Sequence, residues 1–351
     1  MNTRASDKAL LGIRDISMTA RVTAGVARQA RAPEHEEELL QYRLSLRLGP
    51  VHARQRLGLE QEAEARLFGP GRRSFRLHPE NLANAPGLIR FCLQAIGLFK
   101  RARANSRKLT TAENRFFLPG LPPEFDGYRI LHLTDLHVDM DEENLQAVIR
   151  QIEPLDYDLC VLTGDYRQRT WGPIDDALDG MARLRKAIRG DAYAVMGNHD
   201  SVRMVPGLED MGYRLLMNEM QPLERDGATV YLAGVDDAHY YKVHNLHRAG
   251  DDIPPGGISL LLSHTPEIWR EAAHAGYDLF LCGHTHGGQL CLPGGIPITL
   301  DADCPRRLGR GYWRVNGMQG YTSPGAGTSV LNVRLNCPPE VTLHTLTRGP
   351  G

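Results

Sequence analysis

The chain of 351 residues lacks the features that mark several specialised classes of protein. Its six cysteines contain no C-x-x-C pair, which argues against a disulfide framework and a thiolate zinc site and predicts a reducing compartment. It has no apolar run near the ~20 residues that a membrane-spanning helix needs, so a polytopic membrane protein is not expected. The 41 basic and 42 acidic side chains nearly cancel, so the overall charge gives no nucleic-acid signal. With 42% hydrophobic and 24% charged residues, the composition is that of a globular protein.

Acidic residues are also missing from positions 81–112, although six basic side chains stand there. Pro86 suits a helix start, and we predict a basic amphipathic helix near 86–104. Its apolar face would comprise Leu88, Cys92, Ala95, Ile96 and Phe99. Two interpretations stay open: the helix packs on the domain core, or residues 86–108 dock on the anionic inner leaflet of a membrane.

The chain divides by composition into three parts. Residues 1–33 are rich in Arg, Ala, Thr and Ser, which is typical of a transit peptide or, the interpretation we favour, of a disordered tail. Residues 34–122 form an N-terminal extension, in which the alternation at 42–48 predicts a strand and 54–67 a charged helix. Residues 123–351 carry the clearest pattern and are predicted to be the main domain.

Short apolar runs and amphipathic segments alternate after Pro123. The runs are 129–134, 158–163, 192–196, 229–235, 258–262 and 278–282. The predicted helices between them are 141–152, 174–189 and 265–275. Further strand-like runs stand at 328–335 and 340–346. This alternation predicts an α/β or layered α+β domain.

Five of the six apolar runs are followed by residues of the types that commonly bind metals. These endings are Asp135-Leu136-His137, Gly164-Asp165, Gly197-Asn198-His199-Asp200, Ser263-His264 and Gly283-His284-Thr285-His286. Ligands at the carboxyl ends of neighbouring strands meet in one crevice. Residues i and i+2 of an extended chain also project to the same side, which would let Asp135 and His137 reach one ion. Carboxylate, imidazole and amide ligands together suit Mn²⁺, Fe or Zn²⁺ better than Ca²⁺.

This order of motifs, D-x-H, G-D, G-N-H-D, S-H and G-H-T-H, resembles the calcineurin-like metallophosphoesterase superfamily over residues 128–345. SHTPE, GHTHGGQ and GVDD are most similar to its YkuE/YaeI-like and chlamydial-type UDP-2,3-diacylglucosamine hydrolase branch. The resemblance implies a four-layer fold, in which two mixed β-sheets are flanked by helices.

The resemblance also implies a site with two divalent metal ions, Mn²⁺ being favoured over Fe or Zn²⁺. The first ion would be held by Asp135, His137 and His286, and the second by Asn198, His264 and His284. Asp165 would bridge them, since a carboxylate has one oxygen to offer each ion. His199 would not bind metal but would face the substrate phosphate as the catalytic side chain.

The implied activity is hydrolysis of a phosphodiester or pyrophosphate bond by in-line attack of a hydroxide that bridges the metals. The substrate would be a phosphorylated small molecule or a lipid-linked compound such as UDP-2,3-diacylglucosamine, and no specific nucleic-acid partner is expected. One alternative is a nucleotide or nucleic-acid phosphodiesterase; another is a non-catalytic metal-binding scaffold. The branch usually starts with a signal or membrane-spanning segment, which this sequence does not show, so we expect a cytoplasmic enzyme peripheral to the inner membrane face.

Some polar residues near these motifs leave two interpretations open. Arg167 could bind a substrate phosphate or form a surface salt bridge. Asp200 could orient His199 or cap the local structure. His239, His244 and His247 could line the substrate mouth, but a solvated loop is the simpler interpretation.

Overall fold

The computed structural model describes residues 35–68 and 85–349, so the tail predicted for 1–33 lies outside the described residues. The chain divides into two units, residues 1–55 and 56–351. The helices are α1 (35–48), α2 (Pro50–Phe68), α3 (Ala85–Ala95), α4 (Phe99–Asn105), α5 (Glu142–Ile152), α6 (Asp175–Ala187), α7 (Val205–Asp210), α8 (Leu246–Gly250) and α9 (Trp269–Ala275). The strands are β1 (Thr110–Leu118), β2 (Arg129–Leu133), β3 (Leu159–Thr163), β4 (Ala192–Val195), β5 (Arg214–Leu215), β6 (Glu219–Arg225), β7 (Ala228–Gly234), β8 (Ser259–Leu262), β9 (Leu279–Cys282), β10 (Cys291–Leu292), β11 (Ile296–Pro297), β12 (Gly311–Val315), β13 (Met318–Thr322) and β14 (Glu340–Arg348).

Two six-stranded mixed sheets form the second unit. The first has the order β1-β14-β2-β3-β4-β5 and the second β12-β13-β9-β8-β7-β6. Strands β2, β3 and β4 run parallel in the first sheet, as do β7, β8 and β9 in the second. β10 and β11 form a separate short ribbon. The predicted α/β class with two mixed sheets and flanking helices is confirmed.

Alternate residues of each strand build the layers. Val161 and Val195 of the first sheet meet Leu260 and Leu281 of the second in one buried cluster. Phe280, the neighbour of Leu281, points the other way into a cluster with side chains of α9. The central strands β2, β3, β4, β8 and β9 therefore bury both faces, which is why their runs read as continuously apolar.

Capping and charge support the ends of helices α5 and α6. Asp141 caps α5 by accepting a hydrogen bond from the Glu143 backbone N–H at 3.0 Å. Acidic residues in the first turn of α5 and α6 and basic residues in the last turn favour the helix dipole. The helices predicted at 141–152, 174–189 and 265–275 are confirmed, the last as a 3-10 turn followed by α9.

Residues 42–48 were predicted as a strand and this is wrong, because they lie in helix α1. Leu44 and Leu48 are buried, whereas Leu46 between them is 69% exposed. The two buried leucines are four residues apart, which is the spacing of one face of a helix. The alternation of apolar and polar residues at 42–48 had concealed this helical spacing. The charged helix predicted at 54–67 is part of the longer α2.

The single helix expected near 86–104 is two helices, α3 and α4, separated at Gly97. This glycine has a φ of 72°, which a helix does not accommodate. Leu93 and Ala102 pack against Val333, whereas Leu88, Phe91 and Ile96 are more than 60% exposed. The predicted apolar face therefore points mainly to solvent, and a different face packs on the fold. Within residues 35–68 and 85–349, none of the helices has the length and apolar character that crossing a bilayer requires.

The run at 328–335 was predicted to be strand-like and is instead irregular. β14 is paired on both sides, with β1 and β2, so the first sheet offers this run no place beside β14. β1 itself, absent from the sequence prediction, lies before the domain start expected at residue 123. We propose that the main domain includes it, since it forms one edge of the first sheet.

Candidate metal centre

The facing carboxyl ends of the parallel strands carry the predicted ligand residues. The loops after β2, β3 and β4 bring three groups from the first sheet, and those after β8 and β9 bring the rest from the second. All eight predicted site residues are buried, none being more than 7% exposed. They are Asp135, His137, Asp165, Asn198, His199, His264, His284 and His286.

The first group lies around His286. Its Nε2 is 3.4 Å from Asp135 Oδ1 and 3.4 Å from His137 Nε2. His137 Nε2 is in turn 3.9 Å from Asp165 Oδ2. Ligand atoms around one metal ion at about 2.1 Å are separated by roughly 3.0–3.4 Å. The 3.4 Å separations and the donor types of Asp135, His137 and His286 therefore fit one divalent ion, and Asp165 lies slightly further away.

The second group lies around His264. Its Nε2 is 3.0 Å from Asn198 Oδ1, 3.2 Å from His284 Nδ1 and 3.3 Å from Asp165 Oδ2. These separations are again those of ligands that share an ion. The structure thus brings together all seven predicted ligand residues, in the two groups that the resemblance implied.

Asp165 joins the groups through a single oxygen. Oδ2 is the atom near both His137 and His264, whereas Oδ1 accepts a hydrogen bond from the His199 backbone N–H at 3.0 Å. The sequence argument gives one oxygen to each ion, whereas here the same oxygen, Oδ2, lies near both ligand groups. Burial opposes ionisation, but His264 and His199 hold the pKa of Asp165 well below its usual range. The carboxylate is therefore charged and ready to bind a cation.

Backbone carbonyls orient three of the histidine rings. Nδ1 of His264 lies 2.7 Å from the Thr163 carbonyl, and Nδ1 of His137 lies 2.8 Å from that of Arg167. Nδ1 of His199 bonds to the Gln168 carbonyl. A carbonyl only accepts, so each Nδ1 carries a proton, and this contact turns the Nε2 of each ring towards the site.

Most of the ligand residues have left-handed backbones. Positive φ angles occur at Asp135 (51°), His137 (41°), Asp165 (58°), His284 (69°) and His286 (48°). The extended i, i+2 geometry expected for Asp135 and His137 is therefore wrong, because the chain turns sharply once each strand has ended. A non-glycine residue in this conformation costs about 1–2 kcal/mol, and such strain collects at functional sites.

Asp200 and Arg167 hold the loops that carry the ligand residues. The Asp200 carboxylate accepts hydrogen bonds from the backbone N–H groups of Asp165, Tyr166 and Gly197, each at 2.8 Å. Arg167 is only 2% exposed and donates through Nε to the His199 carbonyl. Arg167 therefore fixes the His199 backbone, and its burial differs from the surface salt bridge expected as one interpretation.

Arg334 is a positioning residue that the sequence argument missed. It is fully buried and donates to the carbonyls of Pro324 and Gly327 at 2.6 Å and of His286 at 3.2 Å. The Gly327 backbone N–H in turn donates to the Asp135 carbonyl at 2.8 Å. Arg334 thus ties the His286 loop to a segment that lies against Asp135. A lone arginine inside the apolar run at 328–335 was the available signal.

The histidines after β7 differ in position. His239 is largely buried, and its Nδ1 lies 3.0 Å from Glu267 Oε1, while its ring centroid is 4.2 Å from that of His284. His244 is half-buried, 3.4 Å from Glu271, and His247 is exposed on α8. His239 therefore adjoins the second group, whereas His247 fits a solvated position.

Two mixed sheets with buried carboxylates and imidazoles at their facing edges define a protein with a candidate site for divalent metal ions. The sequence profile of calcineurin-like phosphoesterases matches residues 128–288. The chain is 30% identical over 238 residues to the uncharacterized metallophosphoesterase YkoQ of Bacillus subtilis, covering 65% of this chain and 86% of that protein. It is 29% identical over 242 residues to the phosphodiesterase YaeI of Escherichia coli, covering 62% and 82%. It is also 27% identical over 319 residues to a Bos taurus transmembrane protein with a metallophosphoesterase domain, covering 84% and 69%.

The chain therefore belongs to the calcineurin-like metallophosphoesterases and is a metal-dependent phosphoester hydrolase. The family implies divalent metal ions, and the buried Asp and His groups offer the ligands for them. Membership of this family of hydrolases argues against the alternative of a non-catalytic metal-binding scaffold.

Proposed function

We propose that the enzyme hydrolyses a phosphodiester or pyrophosphate bond at a binuclear centre. Asp135, His137 and His286 would hold one ion, and Asn198, His264 and His284 the other. The observation that carries this proposal is Asp165 Oδ2, which lies 3.9 Å from His137 Nε2 and 3.3 Å from His264 Nε2. One carboxylate oxygen placed between two ligand groups is suited to bridging two ions.

Two divalent ions supply an activated water and neutralise phosphoryl oxygens when they are bound, and Mn²⁺ is the ion we favour. The protein's own residues hold the ligands rigidly in place, and His199 can supply one proton. His199 Nε2 faces the centre, 3.9 Å from Asp165 Oδ2, while its Nδ1 is held by the Gln168 carbonyl. Nε2 is thus the atom that can stabilise the phosphoryl group or give a proton to the leaving oxygen.

A substrate screen with Mn²⁺ tests this function. The panel comprises an aryl phosphodiester, an aryl phosphomonoester, cyclic nucleotides, a short single-stranded DNA and a lipid-linked nucleotide diphosphate. We expect metal-dependent cleavage of the diester or the diphosphate, abolished by a chelator and restored by Mn²⁺. Preferred cleavage of the cyclic nucleotides or the DNA would favour the nucleotide or nucleic-acid alternative. Cleavage of the monoester alone would contradict the proposal.

A lipid-linked substrate is the second candidate, and the exposed face of α3 favours it. Leu88, Phe91 and Ile96 are 64%, 68% and 64% exposed, on a segment without acidic residues and with a basic flank. An apolar helix face with basic neighbours fits the interface of an anionic membrane. We propose that this face docks the enzyme on the cytoplasmic side of such a membrane.

Vesicle binding tests this docking. The paired substitution Leu88→Ser and Phe91→Ser should weaken binding to anionic vesicles at least 10-fold and leave aryl diester cleavage unchanged. Leu292→Ser with Ile298→Ser, two side chains more than 50% exposed elsewhere, is the matched control. Equal binding by both double variants, or equal binding of the unaltered protein to neutral vesicles, would contradict membrane docking.

A further inference from the structure

Helix α2 carries an ion pair that is buried although the helix belongs to the segment before the main domain. Arg56 is fully buried and Glu60 is 7% exposed, one helical turn apart, with Arg56 Nη1 2.9 Å from Glu60 Oε1. Withdrawing two such charges from water is costly unless further polar contacts compensate. The contacts they make lie on the loops of the metal centre.

Glu60 holds the chain directly after the G-N-H-D motif. Its Oε2 accepts from the Ser201 hydroxyl at 2.6 Å, and its Oε1 accepts from the Val202 backbone N–H at 2.7 Å. Arg56 Nη2 donates to the Asp200 carbonyl at 3.0 Å. Three consecutive residues, which follow Asn198 and His199 without a gap, are therefore fixed by one turn of α2.

Arg56 also reaches the second sheet. Its Nε is 3.5 Å from Asp236 Oδ1, and its guanidinium lies 3.6 Å from the centre of the Tyr241 ring. Asp236 follows β7, while Asp200 follows β4 of the first sheet. One side chain thus joins a loop of each sheet at the edge where the ligands meet. Burial disfavours the charge on Arg56, but Glu60 and Asp236 more than offset this and raise its pKa, so it stays protonated.

We propose that Arg56 and Glu60 are positioning residues of the metal centre, which fix the loop that carries Asn198 and His199. The role of His199 in this inference rests on the proposed function. The contacts of Arg56 and Glu60 with the loop do not depend on it. Displacement of a reacting group by even about 1 Å can cost about 100-fold in rate. A loop anchored at Asp200, Ser201 and Val202 has little freedom to move Asn198 away from His264.

The variants Arg56→Lys and Glu60→Gln test the proposal in the metal-loaded, full-length protein. Lysine keeps the charge but loses the planar, multiple contacts of the guanidinium. We expect kcat to fall about 10- to 100-fold at saturating Mn²⁺, as for other residues that support metal ligands, with KM nearly unchanged. Mn²⁺ titration should show weaker binding of one ion, the one held by Asn198, while the other keeps its affinity.

The same helix offers a matched control. Arg66 and Glu62 form an ion pair of the same i, i+4 spacing, with side chains 72% and 55% exposed. Arg66→Lys and Glu62→Gln should leave kcat and both ion affinities unchanged. If Arg56→Lys fails to fold, Glu60→Gln and Ser201→Ala carry the test. Glu60→Gln removes the charge and one acceptor oxygen, Ser201→Ala removes the hydroxyl, and neither alters the pairing of Arg56 with Asp236.

Two outcomes would overturn the proposal. One is a folded Glu60→Gln or Arg56→Lys variant with unaltered kcat and ion affinities. The other is a lower melting temperature with equal weakening of both ions, which is what a general structural role predicts. Absence of any hydrolysis by the unaltered protein would instead count against the proposed function. The unequal ion affinities would still test whether Arg56 and Glu60 are positioning residues.

Discussion

In the function we propose, Asp165 binds the metal ions and His199 takes part in the chemistry. Asp165 offers one oxygen to both ligand groups, and its other oxygen fixes the His199 backbone. His199 adds a ring whose Nε2 faces the same space. The two side chains are therefore coupled through the backbone, but their removal should have different consequences.

Replacing His199 by alanine should leave metal binding intact and lower kcat about 10²- to 10⁴-fold, as loss of a general acid does. Elemental analysis and steady-state kinetics of the Mn²⁺-loaded variant measure the two effects. His247→Ala, which removes an exposed histidine on α8, is the control and should change neither. Undiminished turnover in His199→Ala with both ions present would refute the catalytic assignment.

At the scale of elements, the turn after β9 has no room for a side chain. A Cβ on Gly283 would lie 2.1 Å from Thr134 Oγ1 and 2.3 Å from Asp135 Oδ2. The next residue, His284, donates its backbone N–H to the Asp135 carboxylate at 3.0 Å. The close approach of the β2 and β9 loops, one from each sheet, thus depends on this glycine.

Gly283→Ala should push Asp135 aside and weaken Mn²⁺ binding about 10-fold or more, with a stability loss of about 1–3 kcal/mol from overpacking. Gly58→Ala is the matched control, since a Cβ there meets nothing within 4 Å and the residue lies inside helix α2. Mn²⁺ titration and urea unfolding of both variants check this. Normal ion affinity in Gly283→Ala would show that the loops can separate without harm.

The elements also show what the sequence can reveal. Ligand residues follow buried parallel strands, whose continuous apolar runs are easily recognised, so the sequence could identify candidate ligands. Their division into two groups came from the family resemblance. The contacts of Arg56 and Arg334 with the site loops could not be predicted, because these partners are far away in the sequence and many are backbone carbonyls. Likewise, β1 is polar and half-exposed at the edge of its sheet, and it has no apolar run to identify it.

At the scale of the whole molecule, two neutral histidines are buried between the sheets. His132 Nε2 lies 2.8 Å from Thr163 Oγ1, and its Nδ1 lies 3.3 Å from His344 Nε2. Burial lowers the pKa of His132 to about 3 and that of His344 well below its ordinary value. Unfolding exposes these rings to water, where their pKa returns to about 6.5.

This difference makes stability depend on pH. Because the folded pKa of His132 is depressed, its contribution is fully present above pH ~6.5 and is lost as the pH falls towards ~3, at about 1.4 kcal/mol per pH unit. In the metal-free protein, the loss of unfolding free energy between about pH 6.5 and about pH 5 should be roughly 2 kcal/mol smaller in His132→Gln. His274→Gln, at an exposed position, should match the unaltered protein. Parallel pH profiles for all three in urea unfolding would contradict this account.

The two sheets place a single oxygen of Asp165 between two ligand groups, and the most direct test is whether two ions are coupled there. Chelator-treated protein is reloaded with Mn²⁺ and examined by electron paramagnetic resonance, together with elemental analysis. We predict two ions per chain with the spectrum of an exchange-coupled pair, and loss of that coupling in Asp165→Ala. One ion per chain, or two ions with the spectra of isolated Mn²⁺, would contradict the binuclear centre.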